Sequence, residues 1–584
     1  MAVVASLTMG AATHVPDLLR ARRAAAPQHV ALVVDGGGSL TYRDWDARSD
    51  AVAWGLAAEG VRRADRVALI FDNGRWDEYA VVYLALHKVG AAAVPLSTAL
   101  SAPELARVIR HADVAMVVCP PDLVRSVGAP RLADPHRLEA GRPRDPFPAA
   151  AGWSDLAEII YTSGTTGTPR GVACSHGNLV AHDVPADAGE PASFAHAFPI
   201  GTNAGQECLR MPLRRTASAV VLRSFSAERL CALIAERRIQ RLQLVPAMAQ
   251  LVVESGATHR HDISSVERVT LSSAPAPDGL WTRLQAAFPS ASLWNAYALT
   301  EGGAARMLMR HDPARPTSVG RPVGNSEVRV VDEDGADCAS GATGEVLLRR
   351  PGGPRREYFR DPVATAKTFA GEWLRTGDIG YQDPEGYLHV VDRKKDVILS
   401  GGLNVSSVEV ENALADHPAV AEAGVFGLPH RVLGQAVAAA VVACGATDAR
   451  AIQAFVRERL GEQKVPRSVF FVDGLPRNTA GKVVKRELRE RFAARRGPAR
   501  ASRVEEGLDA TVAGVFREVL GLSEVSVHDD FFDLGGHSLA AAQVVARLQD
   551  ALDADLPVTA VFEWPTAAEL AGALSDALAE PSPR

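Results

Sequence analysis

Short apolar runs alternate with stretches of helical spacing along most of the chain. Residues 67–70, 115–119, 158–161, 219–222 and 243–245 read as strands. Between them lie segments such as 226–237, whose apolar residues fall on one helical face. This alternation predicts an α/β body with largely parallel sheets. Beyond residue 503 the pattern turns wholly helical. Val512, Val515, Phe516, Val519 and Leu520 follow the i, i+3, i+4, i+7, i+8 spacing, Val545, Leu548 and Leu552 repeat it, and 566–577 supply a third helix. Three such helices make a small all-α bundle. The longest apolar run, 436–444, fits a buried strand and falls far short of the ~20 residues that cross a bilayer. The first ten residues, MAVVASLTMG, lack the basic start of a signal peptide. A cytoplasmic protein is expected.

With 584 residues the chain is too long for one core, and domains of roughly 100–200 residues predict three or four. The six cysteines are scattered with no C-x-x-C pair, which argues against a zinc site or a disulfide framework and for free thiols. Net charge changes the picture more. The chain carries −6 overall, but the part from Val504 onward carries −12 and the remainder +6. An acidic module that docks on a basic surface and an acidic module that merely stays soluble both fit. Two breaks in composition stand out. GRPRDPFP at 141–148 is a Pro-rich connector inside the body. AARRGPARASR at 493–503 has no bulky apolar residue and reads as an exposed, mobile linker.

Several segments carry chemistry. YTSGTTGTPRGV at 161–172 follows a strand and crowds glycines and hydroxyls into a turn. Such a loop cradles phosphate oxygens, although alone it is also compatible with a solvated turn. It is not a Walker A loop. Downstream come NAYALTE at 295–301, GEWLRTGDIGY at 371–381, DRKKDVILSGGLNVSSVEVE at 392–411 and PRNTAGKVVK at 476–485. Together, in this order and spacing, these blocks resemble the adenylate-forming superfamily of acyl-CoA synthetases, luciferases and nonribosomal peptide synthetase adenylation domains. Weaker matches at LTYRDW (40–45) and KVGAAAVPL (88–96) extend the resemblance over residues 15–492. DFFDLGGHSL at 530–539 resembles the attachment site of peptidyl and acyl carrier domains.

The resemblance implies a large N-terminal adenylation subdomain at 1–393, a small mobile α+β subdomain at 394–492, the linker at 493–503 and a phosphopantetheine carrier domain at 504–584. It also implies roles. Thr162, Ser163, Gly164, Thr165, Thr166 and Gly167 bind the ATP phosphates, Tyr297 stacks on adenine, and Thr300 reaches the α-phosphate. Glu301 holds Mg²⁺, a hard ion that takes oxygen ligands. Asp378 accepts the ribose hydroxyls with Arg393 nearby. Lys482 places a cation where charge develops as a carboxylate attacks phosphorus. Lys395, two residues after Arg393, is the hinge on which the small subdomain turns, and 400–402 lines a pantetheine tunnel. Ser538 carries 4′-phosphopantetheine.

Three departures bear on the substrate. Arg170 stands where most members have lysine, and Ala298 replaces a usual glycine, where a methyl crowds the pocket or shifts Tyr297. FPIGTNAGQ at 198–206 has neither the aromatic–histidine pair of many acyl-CoA synthetases nor the aspartate that grips an α-ammonium in amino-acid-activating domains. Thr202, Asn203 and Gln206 offer neutral hydrogen bonds instead, and Glu207 is the one nearby carboxylate, able to receive an ammonium if it points inward. A small aliphatic, aryl or hydroxy acid is expected over an ordinary α-amino acid. The favoured function is ATP-dependent activation of that acid and its transfer to the chain's own carrier, supplying a natural-product assembly line. An acyl-CoA ligase with an appended carrier, an amino-acid-specific didomain (a β-amino acid among its substrates) and a non-catalytic scaffold are the alternatives. A phosphopantetheinyl transferase and downstream condensing or tailoring enzymes are the implied partners; neither nucleic acid nor membrane is expected.

Overall fold

The structure is a computed structural model that describes residues 13–123, 131–149, 151–162, 170–181, 192–400, 403–430, 434–478, 481–493, 507–536 and 560–579, with seven residues of 540–548. The chain divides into two compact units. One comprises Met1–Lys395 with Arg477–Val483, the other Asp396–Pro476 with Val484–Arg584. The break falls directly after Lys395. Two features differ from the linear order expected: the short segment bearing Lys482 belongs with the large unit, and the carrier region shares a unit with the small subdomain.

Among the described residues, the first unit holds a fourteen-stranded and a seven-stranded sheet. The expected strands appear as Arg66–Ile70, Met116–Val118, Leu156–Thr162, Ser218–Val221 and Arg241–Leu244. Parallel pairing joins Arg66–Ile70, Ala92–Leu96, Met116–Val118 and Leu156–Thr162 in the smaller sheet. It also runs from Val30–Val34 through to Ser292–Ala298 in the larger one. From there onward every pairing in the larger sheet is antiparallel, as far as Leu388–Arg393. The expectation of largely parallel sheets therefore holds for only part of the fold. Most of the later strands are joined by turns or loops, which pair neighbours antiparallel, although the helix Pro362–Thr368 lies between Gly344–Arg349 and Trp373–Gln382. Helix boundaries follow local chemistry: the Ser226 hydroxyl accepts the Arg229 N–H and starts Ala227–Arg237. The connector 141–148 is pinned, since Phe147 N–H donates to Asp50 and the Phe147 ring packs edge-on against Trp54.

The two weaker sequence blocks have structural work. Trp45 is fully buried and its indole N–H donates to the Ala80 carbonyl. Lys88 is buried too, its ammonium 2.7 Å from Asp46 and 2.6 Å from Asp50. Such a buried charge cluster costs several kcal/mol if one partner is removed.

Buried histidines set an acid limit on stability. Burial pushes His176 down to about 4 and His196 to about 3, and holds His87 well below its ordinary value. Unfolded, each takes a proton near pH 6.5. Their contribution is complete above that pH and is lost as pH falls toward 4, because the unfolded chain binds protons first. The unfolding free energy read from urea titration, and the midpoint with it, should fall as pH drops from 6.5 to 4.5, by at most roughly 1.4 kcal/mol per pH unit for each histidine. A midpoint that stays level over that window would contradict this reading.

The second unit begins with the hairpin Ile398–Ser400 and Leu403–Val405, followed by the antiparallel pair Val420–His430 and Gly434–Ala443, with Ser468–Phe471 added parallel. Helices Ser407–Ala415 and Ala449–Leu460 contribute Val410, Leu414, Ile452 and Val456 to its core. The carrier region packs Leu508–Leu520, residues 540–548, Ala560–Glu563 and Ala567–Ala579 around Phe516, Phe531, Leu548 and Leu570. The short helix Ala560–Glu563 was not foreseen, being too brief to show a period. Leu552 lies outside the described residues. Acidic carrier groups meet basic groups of the small subdomain: Asp533 lies 3.5 Å from Arg467 and 3.7 Å from His430, and Glu569 lies 3.8 Å from Arg450. The charge asymmetry of the sequence thus coincides with a contact surface.

Candidate active site

Thr162 ends the strand Leu156–Thr162, and Tyr297 lies near the end of Ser292–Ala298. Both strands pair in parallel with a neighbour, and carboxyl ends of parallel strands are where α/β sheets present ligand-binding loops. Ser163, Gly164, Thr165, Thr166 and Gly167 lie outside the described residues, as do 401–402 and Ser538.

Asp378, on the strand Trp373–Gln382, faces Arg393 across an antiparallel register. The Arg393 Nε lies 2.5 Å from Asp378 Oδ1, and the Tyr297 hydroxyl donates to Oδ2 at 2.5 Å. Asp378 is buried, which raises its pKa, while Arg393 and Tyr297 pull it back down. Burial and the adjacent carboxylate hold the Tyr297 phenol well above its ordinary value, so it remains a donor. Each carboxylate oxygen has two lone pairs, so Asp378 retains capacity for further hydroxyl donors.

Thr300 and Glu301 sit in the turn after Ser292–Ala298. Glu301 Oε1 accepts the Tyr358 hydroxyl at 2.9 Å. Arg356 donates to the Thr300 carbonyl at 2.6 Å and to Asn203 Oδ1 at 3.3 Å. A cavity of about 290 Å³ opens here, lined by Glu301, Gly302, Gly303, Ala304 and Arg356. Among the described residues no group of three or more His, Cys, Asp or Glu gathers to hold a metal. A single carboxylate would suit Mg²⁺, an ion that keeps several waters and takes few protein ligands, with Glu301 the residue that would hold it. Arg356 and Tyr358 escaped the sequence reading. Arg356 lies just before the two-residue strand Glu357–Tyr358, too short to show a period, and neither residue stands in a motif.

Lys482 sits in a tight turn closed by Asn478, whose side-chain oxygen accepts the Lys482 N–H at 2.9 Å, with Gly481 in the left-handed region. Crowding by protein and the charge of Arg393 lower its pKa to about 8, against the pull of Asp378 and Glu301. The residue is nevertheless exposed to solvent, so water tempers this desolvation. Thus Tyr297, Asp378, Arg393, Glu301 and Lys482 act on a common electrostatic site.

The pocket residues require correction. Glu207 does not offer an ammonium partner: its carboxylate is 2.7 Å from Arg210 and 2.8 Å from Arg214. Arg210 is fully buried and also meets Glu158 at 2.9 Å and the Tyr83 hydroxyl at 3.0 Å. This network ties the helix Asn203–Arg214 to the strand that ends at Thr162. The Thr202 hydroxyl is spent capping that helix, accepting Gly205 N–H and donating to the Pro199 carbonyl. Gln206 is buried and bonded to Tyr79 and to the Ile200 carbonyl. Asn203 remains at the helix start, held by Arg356. Ala298 is exposed, and its methyl does not displace Tyr297 from Asp378. Arg170 places its guanidinium 5.4 Å from the centre of the Tyr358 ring, a cation–π contact that suits a planar cation.

At the carrier motif, Gly535 has φ +96 and a Cβ on Gly536 would strike the Phe531 ring at 2.1 Å. Gly535 is thus favoured by its backbone conformation and Gly536 by packing.

These features define an adenylate-forming ligase with an attached carrier. The comparisons agree. The chain belongs to the AMP-binding enzyme family, whose model matches residues 19–359, with the AMP-binding enzyme C-terminal domain at 409–482 and the phosphopantetheine attachment site at 510–574. A feruloyl-CoA synthase of Amycolatopsis sp is 32% identical over 81% of this chain and 98% of its own length. ATP-bound MatB from Rhodopseudomonas palustris superposes with TM-score 0.74 at 29% identity, covering 82% of this chain and 99% of its own. The amide bond synthetase McbA from Marinactinospora thermotolerans gives 0.73 at 30%, covering 82% and 100%. The protein is an adenylate-forming, acyl- or aryl-CoA-ligase-like enzyme that uses ATP and carries phosphopantetheine. No described helix is long and apolar enough to cross a membrane.

Proposed function

We propose that the enzyme activates a small aliphatic, aryl or hydroxy acid as its acyl-adenylate and hands it to its own carrier at Ser538. The observation that carries this reading is the presence, in one chain, of the Asp378–Arg393–Tyr297 cluster with Lys482 and Glu301 nearby, and of a carrier domain. In this reading Thr162 and the loop 163–167 hold the ATP phosphates, and Asp378 with Arg393 takes the ribose. Tyr297 stacks on the adenine, Thr300 reaches the α-phosphate, and Lys482 neutralises charge at the reacting carboxylate. Mg²⁺ on Glu301 would shield the phosphates. The phosphopantetheine arm supplies the thiol that receives the acyl group. Residues 1–393 and 394–492 form the adenylation subdomains, hinged at Lys395, 493–503 the linker and 504–584 the carrier. A fused arm is present at high effective concentration, so free CoA is redundant. Six free cysteines and the need for ATP suit the cytoplasm. A condensing or tailoring enzyme would consume the product in a secondary-metabolite assembly line.

The names of the relatives favour one second reading, in which free CoA is the acceptor. The two differ in whether acid becomes protein-bound when CoA is withheld.

The pairing of Glu207 with two arginines strengthens the case against an α-amino acid, because a buried ammonium without a carboxylate partner is costly. Pyrophosphate exchange with each of the twenty standard amino acids should stay at background, while a panel of small aliphatic, aryl and hydroxy acids gives turnover. Strong exchange with any standard amino acid would overturn this substrate class.

A further inference from the structure

We propose that Arg356 and Tyr358 are positioning residues that clamp the Thr300–Glu301 turn, one gripping the backbone of Thr300 and the other the carboxylate of Glu301. The inference rests on the adenylation reading of that turn. Arg356 immediately precedes the short strand Glu357–Tyr358 and Tyr358 ends it, and the two side chains reach two consecutive residues. Arg356 Nη1 meets the Thr300 carbonyl at 2.6 Å, and the Tyr358 hydroxyl meets Glu301 Oε1 at 2.9 Å.

The clamp is itself held firmly. The strand Glu357–Tyr358 pairs antiparallel with Arg170–Ser175, with Tyr358 opposite Val172. The Tyr358 N–H donates to the Thr365 hydroxyl, which donates in turn to the Asp361 carbonyl. The guanidinium of Arg170 covers the Tyr358 ring. The strand that leads directly out of loop 163–169 is therefore joined, through one tyrosine, to Glu301.

Arg356 is 2% exposed and no described carboxylate pairs with it. Its Nε and Nη2 have no hydrogen-bond partner among the described residues. Leaving a buried guanidinium this poorly compensated is costly, and the two acceptors it does engage are the Thr300 carbonyl and Asn203, the first residue of the pocket helix. Gly303 accommodates it: a Cβ there would come within 3.1 Å of Arg356 Nε, and the residue has φ +60. A fixed donor on Glu301 leaves that carboxylate pre-oriented when Mg²⁺ arrives with ATP.

Calorimetric binding of ATP with Mg²⁺, and of ATP in EDTA, tests the clamp without turnover. Wild type should bind the Mg²⁺ complex more tightly. Tyr358→Phe removes one charge-assisted bond and nothing else in volume. It should shrink that preference by about tenfold while leaving binding in EDTA nearly unchanged. In a Glu301→Gln background the same substitution should have no further effect, as coupled residues require. An unchanged preference in Tyr358→Phe, an equal loss with and without Mg²⁺, or additive effects in the double variant would overturn the clamp. Wild type that binds no ATP in either condition would overturn the adenylation reading beneath it.

Discussion

Lys482→Ala should lower acid-dependent pyrophosphate exchange by at least roughly 10²–10³-fold, the range seen when one preorganised electrostatic donor is removed. Its ammonium lies among Arg393, Asp378 and Glu301, where a carboxylate attacking phosphorus concentrates negative charge. Thioester formation from a supplied acyl-adenylate involves no such phosphate chemistry and should remain nearly unchanged. The same residue sets the basic limb of the pH profile. Partial desolvation and Arg393 lower the Lys482 pKa toward about 8, tempered by solvent, so the charged form prevails at neutral pH. The kcat/KM for exchange should therefore fall on the alkaline side as Lys482 loses its proton, and Lys482→Arg should move that limb upward. Equal damage to both half-reactions would remove Lys482 from the adenylation step alone.

Ser538→Ala should abolish covalent loading and leave pyrophosphate exchange intact, because the adenylation machinery is complete without the carrier. The loss is total rather than graded, since no other residue in this reading bears the arm. A variant that still acquires a thioester-linked acyl group would displace Ser538 from its role.

The site was legible where neighbours in sequence are neighbours in space. Thr300 and Glu301 share one turn, and Asp378, Arg393 and Lys395 lie within twenty residues of one another. Repeated apolar spacing likewise announced the helices Ala227–Arg237 and Leu508–Leu520. What the sequence concealed depends on partners far apart in the chain. Glu207 looked available because Arg210 and Arg214 are ordinary helix residues until the fold buries them, with Glu158 brought from 52 positions away. Arg356 and Tyr358 lie more than fifty residues from the turn they grip. The Thr202 hydroxyl, one of several polar groups at the start of the helix, serves as its cap, the ordinary role of a threonine preceding a helix. The antiparallel half of the large sheet was missed because strand pairing depends on connections, which apolar spacing alone does not report.

Intact-mass analysis bears most directly on self-loading. The phosphopantetheinylated protein is incubated with ATP, Mg²⁺ and a pool of small carboxylic acids, with no CoA present. The expected result is a single acyl adduct on the arm at Ser538, its mass naming the acid, and no adduct in Ser538→Ala. Formation of AMP and pyrophosphate with no covalent adduct, while added CoA is acylated, would contradict self-loading and identify a CoA ligase instead.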